Sequence, residues 1–118
     1  MVQTATLANQ QLIFGNIVIN PSTYKVLVDA QAVELTFCEF ELLHRFCLEP
    51  DRIIDYDTLC QALWASRGPK ERRRLSVAVC RLRAKLTSSE PYHLETVRGR
   101  GYGLIESAGS PQRIDARA

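Results

Sequence analysis

A helix-period pattern of apolar side chains runs from residue 75 to residue 86. At about 100° per residue, one face of this segment carries Leu75, Val79, Leu82 and Leu86. The spacing predicts a helix whose apolar face packs on the core. The same projection turns the remaining positions outward: Val77, Arg81 and Ala84 at the centre, Ala78 and Lys85 on one flank, Cys80 and Arg83 on the other. The outward face is a candidate recognition surface.

Two shorter helices are predicted before this one. Thr36 and Glu39 have the spacing of a capping box, and Pro50 forbids continuation, so the first helix should span Phe37–Leu48. Asp55 can cap a second helix that ends near Trp64.

The segment 65–74 separates the second helix from the third. It contains the dipeptide Gly68-Pro69 and is strongly charged, so we predict a solvated loop. Arg72, Arg73 and Arg74 would then lie where the third helix begins.

Strands are predicted at both ends of the chain. Short apolar runs separated by turn residues over 11–35 indicate an antiparallel sheet of three or four strands. Near the other end, two short apolar runs flank R-G-R-G, where Gly99 and Gly101 permit positive φ, so a β-hairpin with an arginine at its tip is predicted. The predicted fold is α+β, a winged helix-turn-helix over residues 10–106, with flexible segments at 1–9 and 107–118.

Charge is distributed unevenly although the formal net charge is only +2. The first half is rich in acids, whereas from Arg67 to Lys85 eight basic residues are opposed by Glu71 alone. This asymmetry suggests an anionic partner on one side of the molecule. With 118 residues and 46% hydrophobic residues, the chain fits one globular domain.

Other functional classes have little support in the sequence. No apolar run is long enough to cross a bilayer and the first ten residues lack the pattern of a signal peptide, so a cytoplasmic protein with no membrane partner is expected. His44 and His93 are isolated from any catalytic motif, and we predict no catalytic residues, no metal and no cofactor. The four cysteines form no C-x-x-C pair and are read as small, buried, reduced thiols rather than as a zinc site with His44.

Several ordered motifs point to a known family. They are L-T-F-C-E-F-E-L-L (35–43), R-I-I-D-Y-D-T-L (52–59), Trp64, V-x-V-x-R-L-R-x-K-L (77–86) and T-V-R-G-R-G-Y (96–102). From about Leu12 to Ile105 the chain resembles the DNA-binding effector domain of OmpR/PhoB-type response regulators. The resemblance implies a transcription regulator of two-component phosphorelay systems that binds double-stranded DNA.

The resemblance also implies residue roles, with the third helix in the major groove and the wing in the minor groove. Base contacts would fall to Val77 and Arg81. The resemblance implies phosphate contacts for Arg83 and Thr96 and a minor-groove contact for Arg98. From their charge and position we also expect backbone contacts from Arg72, Arg73, Arg74 and Lys85, and a second minor-groove contact from Arg100. Relatives often carry larger or more polar residues where this chain has Ser76, Ala78 and Gly103. Fewer direct contacts to bases are therefore expected here.

The sequence leaves three properties of the whole regulator undecided: its domain content, its oligomeric state and its contact with RNA polymerase. The chain contains no receiver domain, so it is either a fragment of a longer regulator or a free-standing effector. Relatives tend to bind direct repeats as head-to-tail dimers, and some touch RNA polymerase through the loop between helices two and three, which is markedly basic here. The alternative function is a winged helix that docks an acidic protein partner.

Overall fold

The computed structural model describes residues 11–107. The segments predicted to be flexible, 1–9 and 107–118, lie outside this range except for Ser107. The first element is a four-stranded antiparallel sheet in the order β1-β2-β3-β4, formed by Leu12–Phe14, Ile17–Asn20, Lys25–Val28 and Gln31–Ala32. Its inner face buries Ile17, Ile19, Val26 and Val28, while the alternate residues of β3 point to solvent. The predicted sheet is confirmed.

The three predicted helices are also confirmed: α1 (Phe37–Leu48), α2 (Tyr56–Trp64) and α3 (Pro69–Lys85). The start of α1 is fixed by the capping box, in which Thr36 Oγ1 accepts from the Glu39 amide at 3.1 Å and Glu39 Oε1 accepts from the Thr36 amide at 3.0 Å. At the start of α2, Asp55 Oδ2 accepts from the Thr58 amide at 3.2 Å. Local hydrogen bonds therefore set where both helices begin.

The predicted loop over 65–74 is wrong from Pro69 onward, because α3 begins at that residue. Proline is well suited to the first position of a helix, where its missing N–H would have no partner and its φ is already helical. Gly68, with a φ of 143°, makes the turn into the helix. The link between α2 and α3 is reduced to residues 65–68, and the arginines expected at its end lie within α3.

The C-terminal hairpin consists of β6 (Tyr92–Val97) and β7 (Gly101–Glu106), as predicted. A further two-residue strand, β5 (Ile54–Asp55), pairs with β7, so this sheet has the order β5-β7-β6. Gly99 has a φ of 80°, but Gly101 does not have the positive φ that was expected. A Cβ at Gly101 would instead collide with the Ile54 carbonyl oxygen, so glycine there lets β5 approach β7.

The two sheets are joined through Asn16 in the β1–β2 turn. Its side-chain Nδ2 donates to the Ser88 carbonyl at 2.9 Å, and its Oδ1 accepts from the Glu90 amide at 2.7 Å. The Asn16 amide also donates to the Glu90 carbonyl at 2.9 Å. These bonds hold the N-terminal sheet against the segment that leads from α3 into the hairpin.

The prediction that all four cysteines are buried is only half right. Cys47 and Cys60 lie in the core, and burial raises the pKa of the Cys47 thiol to about 12. Cys38 is half-buried and Cys80 is exposed. Cys80 is exposed because it lies on the outward side of α3, away from the apolar face that packs on the core.

Candidate nucleic-acid interface

The rotation of α3 about its axis agrees with the sequence pattern. Its apolar face is buried, with exposed fractions between 0% and 5% for Leu75, Val79, Leu82 and the C-cap Leu86. On the opposite side, Val77 is 49% exposed, and Arg81 and Ala84 are also exposed. The helix therefore presents an arginine and a branched apolar side chain side by side to solvent.

Ala78 is buried, although the helical projection assigned it to a flank of the outward face. The helix α1 packs against this flank of α3, which removes most of the Ala78 surface from solvent. Lys85, on the same flank, reaches α1 directly: its Nζ lies 2.6 Å from Glu39 Oε1. The outward face is thus narrower than the sequence suggests.

The Lys85–Glu39 ion pair is partly buried. The Glu39 side chain is only 3% exposed, whereas that of Lys85 is 36% exposed. Burial by itself would raise the pKa of Glu39, but hydrogen bonds from Lys85 and from the Thr36 amide, together with the Lys85 charge, hold that pKa below its ordinary value. The carboxylate is therefore ionised, and the ammonium group of Lys85 is engaged inside the domain.

An open depression of about 440 Å³ lies between the N-terminus of α1, the end of α2 and α3. Its apolar wall comes from Cys38, Trp64, Val77 and Ala78, and its basic rim from Lys70, Arg73, Arg74 and Arg81. Sequence reasoning missed this feature, because it depends on how three helices are placed relative to one another.

Two of the three consecutive arginines at the start of α3 are held by α2. The Arg72 guanidinium lies 3.2 Å from Asp57 Oδ1 and 5.2 Å from the centre of the Tyr56 ring. Arg74 stacks over Trp64, with its Cζ 4.5 Å from the ring centre. These contacts preorganise the two guanidinium groups at the surface.

Arg83 links α3 to the hairpin. Its Nε donates to the Leu94 carbonyl at 3.3 Å, and a terminal nitrogen donates to Thr96 Oγ1 at 2.6 Å. The structure therefore brings together Arg83 and Thr96, the two residues for which the family resemblance implies phosphate contacts.

The hairpin turn carries Arg98 and Arg100, both exposed. The Arg100 amide donates to the Val97 carbonyl at 2.9 Å, which closes the turn. Within residues 11–107, the side chains of Arg81, Arg98 and Arg100 make no ion pair or hydrogen bond. We define the basic face as five exposed arginines that α2 does not hold: Arg73, Arg81 and Arg83 of α3, and Arg98 and Arg100 of this turn.

Two further observations concern other kinds of site. None of the helices in the described part of the chain has the length and apolar character needed to cross a membrane. No group of three or more His, Cys, Asp and Glu side chains between residues 11 and 107 is arranged to hold a metal ion.

Comparison with known families decides what kind of domain this is. Residues 30–104 match the family model described as "Transcriptional regulatory protein, C terminal". The chain belongs to this family. Its relatives are OmpR/PhoB-type response regulators, so the predicted family is confirmed, and the family is one of transcription regulators rather than enzymes.

Full-length relatives are about twice as long as this OmpR/PhoB-type domain. The DNA-binding response regulator MtrA of Mycolicibacterium smegmatis is 34% identical over 104 residues, which cover 86% of this chain and 44% of MtrA. The response regulator protein PmrA of Pseudomonas aeruginosa is 33% identical over 106 residues, which cover 90% of this chain and 47% of PmrA. The chain thus spans less than half the length of these two relatives.

Solved structures of isolated domains match the OmpR/PhoB-type domain over nearly their whole length. The RstA DNA-binding domain of Klebsiella pneumoniae, solved in complex with the RstA box, has a TM-score of 0.73 and 31% identity, and the match covers 81% of this chain and 97% of that one. The DNA-binding domain of CpxR from Escherichia coli has a TM-score of 0.73 and 28% identity, with coverage of 81% and 96%. The predicted winged-helix fold is confirmed.

Proposed function

We propose that this OmpR/PhoB-type domain binds double-stranded DNA in a sequence-specific manner and regulates transcription, with α3 in the major groove and the hairpin turn in the neighbouring minor groove. The observation that carries the proposal is the basic face, in which free arginines of α3 and of the turn flank the hydrogen bond between Arg83 and Thr96. An α-helix fits the major groove, and a narrow minor groove attracts arginine. The RstA DNA-binding domain, a structural relative, was solved in complex with the RstA box, which supports DNA binding as the function.

The proposed DNA contact of each side chain depends on whether that side chain already has a partner inside the domain. Arg81 can donate two hydrogen bonds to guanine O6 and N7, and the Val77 methyl groups can contact a thymine methyl group. Arg83 and Thr96, already fixed against each other, suit phosphate oxygens, which set register without reading sequence. Arg98 and Arg100 enter the minor groove. The ammonium group of Lys85 is paired with the Glu39 carboxylate, whose negative charge offsets its own, so Lys85 contributes less to DNA binding than the arginines.

The basic residues at the start of α3 add backbone contacts. Arg72 is preorganised by Asp57 and the Tyr56 ring, and Arg74 by the Trp64 ring. Arg73 lines the depression beside the outward face of α3. Each phosphate neutralised releases counterions, so the proposal includes a steep salt dependence of affinity.

The finer parts of the proposal concern the whole regulator. It acts within a two-component system in the cytoplasm, where the chromosome is accessible, and it binds direct repeats as a head-to-tail dimer. A contact with RNA polymerase would fall on the exposed link between α2 and α3, residues 65–68.

The test is a fluorescence anisotropy titration of the domain with duplex DNA at several salt concentrations. The logarithm of affinity should fall steeply and linearly with the logarithm of salt concentration. Arg52→Ala serves as a control for loss of one exposed arginine outside the basic face, and it should leave affinity nearly unchanged. A flat salt response, or tighter binding to polyglutamate than to DNA, would contradict the proposal, and the second result would favour docking of an acidic protein.

Selection from a random duplex pool then tests sequence specificity. Bound sequences should converge on one motif, and two copies in the same orientation at a fixed spacing would support the head-to-tail dimer. Recovery of unrelated sequences would argue against base readout by Val77 and Arg81.

A further inference from the structure

We propose that Tyr56 is a positioning residue for Arg98, and that its hydroxyl group sets where the wing arginine enters the DNA. The inference rests on the proposed DNA-binding function. It adds a residue of α2 that holds the wing, the turn between β6 and β7, in the conformation that binds DNA. Tyr56 is the first residue of α2, yet its hydroxyl group reaches the turn between β6 and β7.

The hydroxyl group contacts the backbone on both sides of Arg98. The Gly99 amide donates to the Tyr56 oxygen at 3.0 Å, and the hydroxyl group donates to the Val97 carbonyl at 3.5 Å. These two groups belong to the two peptide units that flank the Arg98 Cα atom. One side chain therefore restrains both, and with them the direction in which Arg98 leaves the turn.

The ring that carries this hydroxyl group is itself held. Tyr102, which is 9% exposed, meets it edge to face with ring centres 5.5 Å apart. The Arg72 guanidinium also lies 5.2 Å from the ring centre and pairs with Asp57 at 3.2 Å. The ring is therefore fixed between the hairpin and the start of α3. This keeps its hydroxyl group directed at the turn.

The Tyr56 hydroxyl group adds to the hydrogen bond from the Arg100 amide to the Val97 carbonyl, which closes the turn but does not engage the Gly99 amide. Arg98, Gly99 and Arg100 are all exposed, and Gly99 has open space around its Cα and a φ of 80°. Glycine in an exposed turn has many accessible conformations, and ordering them on binding lowers affinity. Holding the turn in one conformation before DNA arrives removes part of that cost.

The test is a double-mutant cycle of Tyr56→Phe and Arg98→Ala, measured by anisotropy on a selected duplex. Phenylalanine keeps the ring contacts and removes only the hydroxyl group. Tyr56→Phe alone should weaken binding by about threefold to tenfold, the worth of one hydrogen bond. Arg98→Ala should then weaken binding less in the Tyr56→Phe background than in the wild type. Additive effects would overturn the inference.

Two measurements separate positioning from general stabilisation. Amide hydrogen exchange at Gly99 in the free protein should be faster in Tyr56→Phe, while the thermal midpoint stays close to that of the wild type. Tyr92→Phe, which removes a hydroxyl group at the far end of β6, is the matched control and should change neither exchange at Gly99 nor the effect of Arg98→Ala.

These readouts also distinguish failure of the inference from failure of the proposed function. Unchanged exchange at Gly99 in Tyr56→Phe would overturn the restraint whether or not the domain binds DNA. A wild-type domain that binds no duplex would refute the proposed function and the role of Tyr56 in binding, even if Gly99 exchange still responded to the mutation.

Discussion

The basic surface has two regions that differ in how their side chains are held. Along the flanks of α3, Arg72, Arg74, Arg83 and Lys85 each have a partner inside the domain. On the outward face of α3 and at the hairpin turn, Arg81, Arg98 and Arg100 have no ion pair or hydrogen bond with residues 11–107. We call these the anchored and the free basic residues.

Positive charge therefore serves two purposes in this domain. Anchored groups contribute to the fold as well as to the surface, and their geometry is fixed before any ligand arrives. Free groups add little to the fold, but they lose side-chain entropy when they bind. Substitution of an anchored residue should therefore affect folding as well as any binding, whereas substitution of a free residue should affect binding alone.

Arg81→Ala should give the largest effect. It removes the proposed bidentate contact to guanine, so affinity for a selected site should fall by about 1–3 kcal/mol. The thermal midpoint should stay unchanged, because the side chain has no partner in the described part of the domain. Selection profiles provide the measurement. Arg81→Ala should relax one or two base positions, whereas Arg98→Ala should weaken all sites more evenly, and identical profiles would remove the distinction between the two arginines.

Lys85→Met should mainly affect stability. It leaves the buried Glu39 carboxylate without its cation, at an expected cost of about 1.5 kcal/mol, below the range for fully buried pairs because Lys85 is 36% exposed. Urea unfolding at pH 7 measures this, with Arg81→Met as the matched control from the free set. Equal stability of the two variants would contradict the distinction between anchored and free residues.

The pH dependence of the Lys85→Met effect has a definite sign. The pKa of Glu39 is lower in the folded protein than its ordinary value. Its contribution to stability is therefore complete above the unfolded pKa, about 4.3, and is lost as pH falls through the lower folded pKa. The gap in unfolding free energy between wild type and Lys85→Met should shrink across this acid range. A gap that widens on acidification would mean that Glu39 is not the group responsible.

Arg83→Ala should have a smaller effect, spread over both properties. Loss of its hydrogen bonds to the Leu94 carbonyl and to Thr96 should cost about 1 kcal/mol of folding stability, and DNA affinity should fall as well. Thermal unfolding and anisotropy together provide the measurement. An unchanged thermal midpoint would mean that the contacts of Arg83 do not stabilise the fold, and Arg83 would then behave like a free residue.

Cysteine reactivity should give the smallest and most local effect. Cys80 is exposed beside Arg81, so a thiol reagent should modify it quickly, and bound duplex should slow that reaction. Cys47, whose thiol is buried and has a pKa of about 12, should react slowly with or without DNA. Mass spectrometry of alkylated peptides distinguishes the two sites. Equal protection of both by DNA would indicate a global change rather than coverage of the α3 surface.

Features coded by neighbouring residues were predictable from the sequence. The capping box of Thr36 and Glu39, the end of α1 before Pro50 and the buried face of α3 all depend on local spacing, and all three were predicted correctly. The start of α3 was not, because the Gly68-Pro69 dipeptide predicts a loop, whereas the helix begins at Pro69. The dipeptide fits both uses, and only the packing of the following turn distinguishes them.

Features that depend on contacts between distant parts of the chain could not be predicted from the sequence. Burial of Ala78 depends on where α1 lies, and the contact from Tyr56 to the Gly99 amide joins residues 43 positions apart. Pairing of β5 with β7 likewise needs the close approach that Gly101 permits. The identities of the basic residues could be predicted, but the sequence gives no sign of which of them are anchored.

The short edges of the N-terminal sheet bear on how the protein behaves at high concentration. An edge strand exposes unpaired amides and carbonyls that can recruit a strand from another molecule, which is a common route to aggregation. Here the edges are β1, with three residues, and β4, with two. The longer edge strand of the other sheet, β6, carries His93 and Glu95, whose side chains meet at 2.6 Å. Short strands at one sheet and charged side chains at the edge of the other are both features that limit edge-to-edge pairing of sheets.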